Sequence, residues 1–329
     1  MGIGLAFIIV LGLILFAYIG TDILGLNSLF AIVIPYAAVV VFVIGFIRRV
    51  IKWGKSPVPF RIPTTAGQQF SLPWIKYSKI DNPSTGFGVA LRMFFEIFFF
   101  RSLFRNTKAE IMNGKLFVGS NKWLWIGALA FHYSFLIILI RHLRFFMLQT
   151  PWCISVIDSI DSFWQIGLPM IYMTDIIIGA ALLYLLGRRI FNPQVKYISL
   201  PSDYFPLFLI IGIIATGVLM RYFAKVDVTA IKELTLGLAY LKPTVPEGIG
   251  SLFYIHLFLV SVLFAYFPFS KLMHMGGVFL SPTRNLANNN RMERHVNPWD
   301  YPVKHRHYEE YEDEFRDKMK KAGIPVEKE

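Results

Sequence analysis

Four histidines lie in strongly apolar stretches of this chain, in two widely spaced pairs. His132 and His142 are ten residues apart in FHYSFLIILIRHLRF, and His256 and His274 are eighteen residues apart near the end of the apolar part. Burying ionisable groups in a membrane segment costs free energy, so such residues are functional candidates by default. Imidazole nitrogens are axial ligands of haem iron, and helix bundles hold cofactors between ligands on facing helices. The pattern therefore predicts that these four side chains bind haem iron.

The spacing indicates how the four histidines pair. Ten helical residues place His132 and His142 about 15 Å apart along the axis and about 80° apart around it. Eighteen residues are five whole turns, so His256 and His274 share one face, about 27 Å apart. Because the two helices run in opposite directions, we expect His132 to pair with His274 and His142 with His256. The two separations along the helix axes differ by about 12 Å. We expect tilted haems, tilted helices and a kink at Pro268 to absorb this difference.

Long apolar runs must position these ligands. Runs of about 18 or more apolar residues are typical of membrane helices. Hydrophobic residues make up 55% of the 329-residue sequence, which contains 31 phenylalanines, and soluble domains rarely carry so much apolar surface. The sequence predicts an all-α, polytopic membrane helix bundle with six transmembrane helices, at residues 3–21, 28–47, 123–145, 166–187, 204–223 and 251–270.

The basic residues are distributed unevenly among the predicted loops. Residues 48–122 contain 13 Lys or Arg against 3 acidic residues, whereas residues 146–165 contain only two charges, Asp158 and Asp161. Basic loops stay on the cytoplasmic side, so both termini and the 48–122 loop are predicted to be cytoplasmic. The expected location is the cytoplasmic (inner) membrane, with several passes. The basic 48–122 loop also accounts for most of the net charge of +12. Because membrane orientation explains this charge, we expect no nucleic-acid partner.

Composition divides the chain into regions with different expected roles. Residues 90–106 are charged and apolar on one face, which is typical of an amphipathic helix on a membrane surface. The polar C-terminal tail cannot bury a core alone, although residues 308–321 are expected to form a charged helix. The predicted regions are an N-terminal transmembrane hairpin (1–50), a cytoplasmic basic loop with the amphipathic helix (51–120), a four-helix di-haem b domain (121–275) and a tail that docks a partner subunit (276–329).

Three arginines are candidates for contacts with haem propionates. Arg141 and Arg144 flank His142, and Arg221 lies at the corresponding end of the fifth predicted span. Guanidinium groups pair well with partly desolvated carboxylates. The alternative is that they are interfacial anchors whose charged ends reach the headgroups.

Asp175 lies about nine residues into the predicted span 166–187. An Asp at the centre of a membrane helix costs about 2.5–3.5 kcal/mol, so we expect it to face the bundle interior or water. Two roles stay open for its carboxyl group. It either makes a structural hydrogen bond to a neighbouring helix or handles protons beside a bound quinone, and no residue is assigned as certainly catalytic.

The order and spacing of the histidines resemble the gamma subunit of respiratory nitrate reductase, a di-haem b cytochrome. The resemblance covers roughly residues 120–280, with HX9H on one helix and HX17H on the last span. The additional N-terminal span, the long basic loop and the sequence GGVFLSPTRN are similar to DsrM, the membrane subunit of the DsrMKJOP complex of sulfate reducers and sulfur oxidisers. The membrane subunit of heterodisulfide reductase is a related alternative.

This resemblance implies a role in electron transport. The implied subunit exchanges electrons between menaquinone and a cytoplasmic iron–sulfur subunit resembling the catalytic subunit of heterodisulfide reductase, through two haems b. The setting is sulfate respiration and dissimilatory sulfite reduction, with further membrane and periplasmic subunits and a quinone beside the outer haem, near His142 and Arg141. The single cysteine, Cys153, excludes a cysteine-ligated cluster within this chain. It would therefore act as an oxidoreductase subunit only together with its partners.

Other functions stay open at this point. The chain could belong to a heterodisulfide reductase or nitrate reductase complex instead. From different classes, it could be a passive membrane anchor or a proton-coupled transporter with histidine relays, although the sequence lacks the internal repeats expected of many transporters. The anchor and the transporter both predict a purified protein without a Soret band.

Overall fold

The computed structural model of this chain describes residues 2–56, 69–162, 170–289 and 305–328. Regular structure in these residues is almost entirely helical, which confirms the predicted all-α membrane bundle. The α-helices are α1 (Gly2–Tyr18), α2 (Ile34–Gly54), α3 (Gly86–Phe99), α4 (Arg101–Phe104), α5 (Lys122–Phe146), α6 (Trp152–Asp161), α7 (Met173–Phe191), α8 (Pro193–Ile198), α9 (Pro201–Val218), α10 (Val228–Ala239), α11 (Ser251–Tyr266), α12 (His274–Leu280), α13 (Pro282–Asn285) and α14 (Tyr308–Lys321).

Five helical segments of the described residues are long and apolar enough to cross a membrane. They include short π-helical or 3-10 turns and are Gly2–Ile23, Leu29–Gly54, Lys122–Phe146, Pro201–Ala224 and Ser251–Phe269. The fourth predicted span, 166–187, falls on α7, which begins only at Met173 and carries Asp175, Arg188 and Arg189 near its ends. Residues 163–169, where that span was expected to begin, lie outside the described residues. α7 packs along α5 and α9 and so completes the bundle.

The N-terminal hairpin is part of the same packed core. α1 packs along α9 and α11, and α2 packs along α11. Val10 and Phe30 of the hairpin are buried with Leu209, Phe258 and Leu259 in one cluster. The outward faces of α1 and α2 remain exposed and apolar, as the surface of a lipid-facing helix must be. The boundary predicted at residue 50 stays a prediction.

Gly45 allows α2 to approach the end of α11 closely. A methyl group at Gly45 would lie 2.8 Å from Cβ of Pro268 and 3.1 Å from the ring of Phe269. We expect Gly45→Ala to push these helices apart and to lower the thermal unfolding midpoint of the purified protein, since overpacking costs about 1–3 kcal/mol. Gly12→Ala is the matched control, because no described atom lies within 4 Å of a methyl group there. Equal midpoints for the two variants would contradict this packing.

The predicted amphipathic segment 90–106 corresponds to α3 and α4. Phe100 joins them in the left-handed conformation, with φ of 50°. The chain then forms an antiparallel hairpin of β1 (Thr107–Met112) and β2 (Lys115–Ser120), which the sequence analysis missed. Its turn residues Asn113 and Gly114 have φ of 52° and 74°. Asn-Gly is a strong hairpin signal because a type I′ turn needs two positive φ values.

The C-terminal tail contains the expected charged helix, α14. Glu312, on this helix, is buried and accepts hydrogen bonds from the backbone N–H groups of Glu327 and Lys328, at 2.9 and 2.8 Å. The chain therefore folds back on α14 after its last turn. The tail between 290 and 304 lies outside the described residues.

Candidate haem-binding site

The four predicted histidines lie in two pairs between α5 and the last membrane segment. The ring centres of His132 and His274 are 6.0 Å apart, with ring planes at 84°. The ring centres of His142 and His256 are 6.4 Å apart, with nearly parallel planes at 10°. We name these the 132/274 pair and the 142/256 pair. Their different ring orientations make them two inequivalent sites.

The chain from α11 to α12 reaches both pairs because its helix is interrupted. His256 lies on α11, which ends at Tyr266, and His274 is the first residue of α12. Two 3-10 turns and an extended residue, Ser270, separate the two helices. The prediction that His256 and His274 share one face of a continuous helix is therefore wrong. Pro268, which lacks a backbone donor, lies in the break, and a broken helix is not held to a rise of about 1.5 Å per residue.

Three of the imidazoles hydrogen-bond through Nδ1 to a backbone carbonyl oxygen. These are His132, His142 and His274. Their acceptors are Ala128, Ile138 and Lys271, at 2.8, 2.7 and 2.9 Å respectively. A carbonyl oxygen only accepts, so Nδ1 carries the proton and Nε2 keeps the lone pair that a metal ion requires.

The fourth imidazole, that of His256, also carries its proton on Nδ1, but it bonds to a hydroxyl group. Nδ1 of His256 lies 2.9 Å from Oγ1 of Thr216. That oxygen is also 2.9 Å from the carbonyl oxygens of Gly212 and Ile213. The single hydroxyl proton of Thr216 goes to a carbonyl, so its oxygen accepts the Nδ1–H of His256. All four histidines can therefore offer Nε2 as a ligand.

The donor set and spacing of both pairs fit a bis-imidazole haem. An ion bound at about 2 Å by one nitrogen of each imidazole leaves the two ring centres about 6 Å apart. The observed separations are 6.0 and 6.4 Å. Hydrogen bonding of the second ring nitrogen is the usual support of a ligating histidine. The identity of the bound group stays a prediction.

Aromatic contacts connect the 132/274 pair to α3. The ring centres of Phe100 and Phe131 each lie 5.0 Å from that of His132. α5 also holds the end of α3, because Trp125 Nε1 and the Tyr133 hydroxyl donate to the carbonyl oxygens of its last two residues, at 2.7 and 2.8 Å. These carbonyls have no partner within a helix, so α5 caps α3 and fixes Phe100 against the histidine.

Arg141, next to His142, is buried between two acidic side chains. Its guanidinium nitrogens lie 2.9 Å from Oδ2 of Asp161 and 2.9 Å from Oδ1 of Asp175. It also donates to the hydroxyl of Thr174 at 3.2 Å. Removing charges from water is costly unless they are paired and hydrogen-bonded. The predicted contact of Arg141 with a propionate must therefore compete with two carboxylates of the protein.

Asp161 closes α6 and caps the start of α7. Its carboxylate accepts from the backbone N–H and the hydroxyl of Thr174, at 2.9 and 2.6 Å. The first N–H groups of a helix lack internal partners, and a carboxylate is a favoured acceptor for them. From the sequence, Asp161 is expected to be no more than a charge in a loop. It is instead 4% exposed and joins three helices.

Asp175 lies in the first turn of α7, because that helix begins at Met173. The expected depth of about nine residues was wrong, since the helix was predicted to begin seven residues earlier, at 166. The position near a helix N-terminus favours a negative charge. Oδ2 of Asp175 accepts from the Tyr222 hydroxyl at 2.7 Å, and that hydroxyl accepts from the backbone N–H of Tyr172 at 3.1 Å. The carboxylate therefore connects Arg141 on α5 to Tyr222, which lies just after the end of α9.

Arg144 forms a second ion pair of the same kind, with Asp158. One guanidinium nitrogen lies 2.8 and 2.6 Å from the two carboxylate oxygens. The spacing of the charged residues in the sequence indicates both ion pairs, Arg141–Asp161 and Arg144–Asp158. Arg141 and Arg144 are three residues apart on α5, and Asp158 and Asp161 are three residues apart on the next helix. Matching spacings on consecutive helices place opposite charges on facing surfaces.

Arg221 differs from the other two arginines. Its guanidinium carbon lies 4.0 Å from the ring centre of Tyr172, and that of Arg141 lies 3.7 Å from the same centre. Two guanidinium groups this close to one ring must stack on opposite faces. Arg221 donates to the carbonyl oxygen of Met170 at 3.3 Å. Within the described residues it has no carboxylate partner, and its buried Nε has no hydrogen-bond acceptor.

Two curated relatives align with most of the chain. The Hdr-like menaquinol oxidoreductase cytochrome b-like subunit of Archaeoglobus fulgidus is 47% identical over 282 residues, which cover 84% of each chain. The subunit of the same name from Archaeoglobus profundus is 43% identical over 274 residues, or 81% of each chain.

The family model for the nitrate reductase gamma subunit matches residues 95–294. This range begins within α3 and includes both histidine pairs, the arginines and acidic residues around Arg141, and the start of the tail. It covers more than half of the chain. The chain therefore belongs to the nitrate reductase gamma subunit family.

Proposed function

We propose that this protein is the di-haem cytochrome b subunit of a menaquinone-linked membrane complex. It passes electrons between menaquinone and a cytoplasmic iron–sulfur subunit that resembles the catalytic subunit of heterodisulfide reductase. The observation that carries the proposal is the pair of bis-histidine sites, each with ring centres about 6 Å apart and every Nδ1 already bonded. The names of the two archaeal relatives support the menaquinol and Hdr-like parts.

Haem b, when bound at both pairs, supplies one-electron carriers near the two ends of the bundle. The chain contributes four neutral imidazoles whose orientation is set by hydrogen bonds at Nδ1. Arg221 is the best placed of the three arginines to bind a propionate, because it lacks an acidic partner in the described residues and retains unused donor capacity. Arg141 and Arg144 serve mainly to hold α6 and α7 against α5 near His142.

The test is an absorption spectrum of the purified full-length protein, oxidised and then reduced. We expect a Soret band and haem b difference bands, with two haems per chain. In the assembled complex, a menaquinol analogue should reduce at least one of these haems. A purified chain with no Soret band, although correctly folded, would instead favour the passive anchor or the transporter.

Described residues of the predicted basic loop contact the start of the tail, which supports a shared docking role. Arg284 donates to Glu96 of α3 at 3.0 Å, and the backbone N–H of Asn288 donates to the carbonyl oxygen of Pro83 at 2.7 Å. Residues 51–120 and 276–329 would bind the cytoplasmic subunit, with both termini in the cytoplasm. A chain truncated after 289 should lose this partner on purification, and assembly that survives the truncation would remove the tail from the interface.

The narrower assignment to DsrM rests on the N-terminal hairpin and on GGVFLSPTRN in the tail. It would place the protein in the DsrMKJOP complex and in dissimilatory sulfite reduction, with further membrane and periplasmic subunits. The alternative is a complex closer to that of the archaeal relatives or to heterodisulfide reductase. Identification of the subunits that purify with the native protein distinguishes these assignments.

Thr216 should tune the haem held by the 142/256 pair. Its oxygen accepts from Nδ1 of His256, which makes the imidazole a stronger donor to iron and favours the ferric state. We expect Thr216→Val to raise the midpoint potential of this haem in a spectroelectrochemical titration and to leave the other haem unchanged. A uniform shift of both haems, or no shift, would contradict this role.

A further inference from the structure

A cavity of about 210 Å³ lies beside α3 and α4, and its walls are almost wholly charged. It is lined by Asp81, Arg92, Glu96, Arg101, Ser102 and Arg105. A fourth guanidinium group, that of Arg284, lies 3.0 Å from Glu96. Counting the described residues alone, the cluster contains four arginines and two acidic residues, which is an excess of two positive charges.

Both acidic residues already have partners. Arg101 Nε donates to Oδ1 of Asp81 at 2.9 Å, and Arg105 pairs with the other oxygen. Burial opposes ionisation, but these hydrogen bonds hold the pKa of Asp81 below its ordinary value. Glu96 accepts from Arg284 and, at 2.7 Å, from the Ser102 hydroxyl. Both carboxylates lie close enough to attract Arg92 electrostatically, but neither is a hydrogen-bond acceptor for its buried Nη1.

Arg92 is the buried cation of this cluster. The residue is 7% exposed, and its buried Nη1 has no hydrogen-bond acceptor among the described residues. Burial and, after it, the nearby charge of Arg284 lower the pKa of Arg92, yet a guanidinium group stays protonated in proteins. A buried charge is stabilised when it is paired and hydrogen-bonded, so an anion within reach of the unused Nη1 donor would bind favourably in this cavity.

We propose that the cavity binds a phosphate-type oxyanion, either the phosphate of an anionic lipid headgroup or free phosphate. A dianion would balance the excess charge, and guanidinium groups bind phosphate through paired N–H donors. The position of α3 fits a lipid source. Phe87, Phe94 and Phe98 follow one another at helical spacing and are exposed, which is typical of a helix on a membrane surface. Basic pockets beside such helices bind headgroups.

The experiment uses the purified full-length protein in neutral detergent and measures its thermal unfolding midpoint. One series adds potassium phosphate against potassium chloride at equal ionic strength. A second adds phosphatidylglycerol against phosphatidylcholine. We expect a saturable rise in the midpoint with at least one phosphate source, and the series that responds identifies that source.

The matched variants remove one positive charge each. Arg92→Met should weaken the apparent affinity at least tenfold, whereas Arg306→Gln, in the tail, should bind like the wild type. If Arg92→Met does not fold, the half-exposed Arg105 provides Arg105→Gln as a milder variant, which should also bind more weakly. The proposal is overturned by the absence of any rise, by equal affinity in the cavity variants, or by an equal response to acetate, which would assign the cavity to a carboxylate of a partner.

Discussion

Replacing His142 or His256 by Ala should remove one haem and leave the other in place, whereas replacing His132 or His274 should remove the second. This result is expected because each pair would supply two imidazole ligands to one haem iron, and a single remaining imidazole would hold haem weakly. The two sites differ in the angle between their rings, 10° and 84°. The two haems should therefore be distinguishable by spectrum or potential, which allows each loss to be assigned.

The measurement is haem content per chain, together with redox titration of the haem that remains. His307→Ala is the matched control, because His307 lies in the tail and is exposed, so it should keep both haems. If His132→Ala and His256→Ala removed the same haem, the pairing would be refuted. If all four variants kept two haems, the ligands would lie elsewhere.

The pairing was predictable from sequence because few residues can ligate haem iron within a membrane span. His132, His142, His256 and His274 stand out from their apolar surroundings, and the direction of each helix follows from the order of spans. The break around Pro268 was only partly predictable. Proline weakens a helix, but whether the chain kinks or stops depends on packing, here against Gly45 of α2.

The ion pairs of Arg141 with Asp161 and of Arg144 with Asp158 were not found from sequence. Asp161 and Asp158 were assigned to a loop because the segment after α5 is too short to span a membrane. Which charges meet depends on how α6 folds back along α5, and hydropathy carries no such information. Matching three-residue spacings on the two helices would have indicated the ion pairs. In the same way, the Asn-Gly sequence would have indicated the hairpin of β1 and β2.

Arg141→Met should destabilise the protein far more than Arg144→Met. Arg141 is buried with Asp161 and Asp175, with side-chain exposures of 8%, 5% and 15%. Its removal leaves two buried carboxylates without their cation, which costs about 3–5 kcal/mol. Arg144 and Asp158 are more exposed, at 29% and 26%, and such pairs contribute about 0–1 kcal/mol. The thermal unfolding midpoint of each purified variant measures the difference, and equal losses would show that burial is not the deciding factor.

The double variant Arg141→Met/Asp161→Asn separates charge from packing. Asn retains one carbonyl oxygen that can still accept from Thr174, so the cap of α7 survives in part. If the loss in Arg141→Met comes from uncompensated charge, removing one carboxylate should restore part of the midpoint. A further loss in the double variant would mean that the ion pair is less important than the hydrogen bonds of Asp161.

Asp175→Asn then tests whether the same cluster handles protons. A quinol loses protons as it passes electrons to a haem. Asp175 lies near His142, where the resemblance to the nitrate reductase gamma subunit implies a quinone. Asn keeps the size of the side chain but cannot take up a proton, and its single oxygen cannot replace both Oδ1, which accepts from Arg141, and Oδ2, which accepts from the Tyr222 hydroxyl. In the assembled complex, with both haems verified, we expect slower quinol-driven haem reduction with an altered pH dependence. Tyr222→Phe is the control, because it removes the hydroxyl that donates to Asp175 and accepts from the backbone N–H of Tyr172 but leaves the carboxylate in place. A full rate and an unchanged pH dependence in Asp175→Asn would make the carboxylate purely structural.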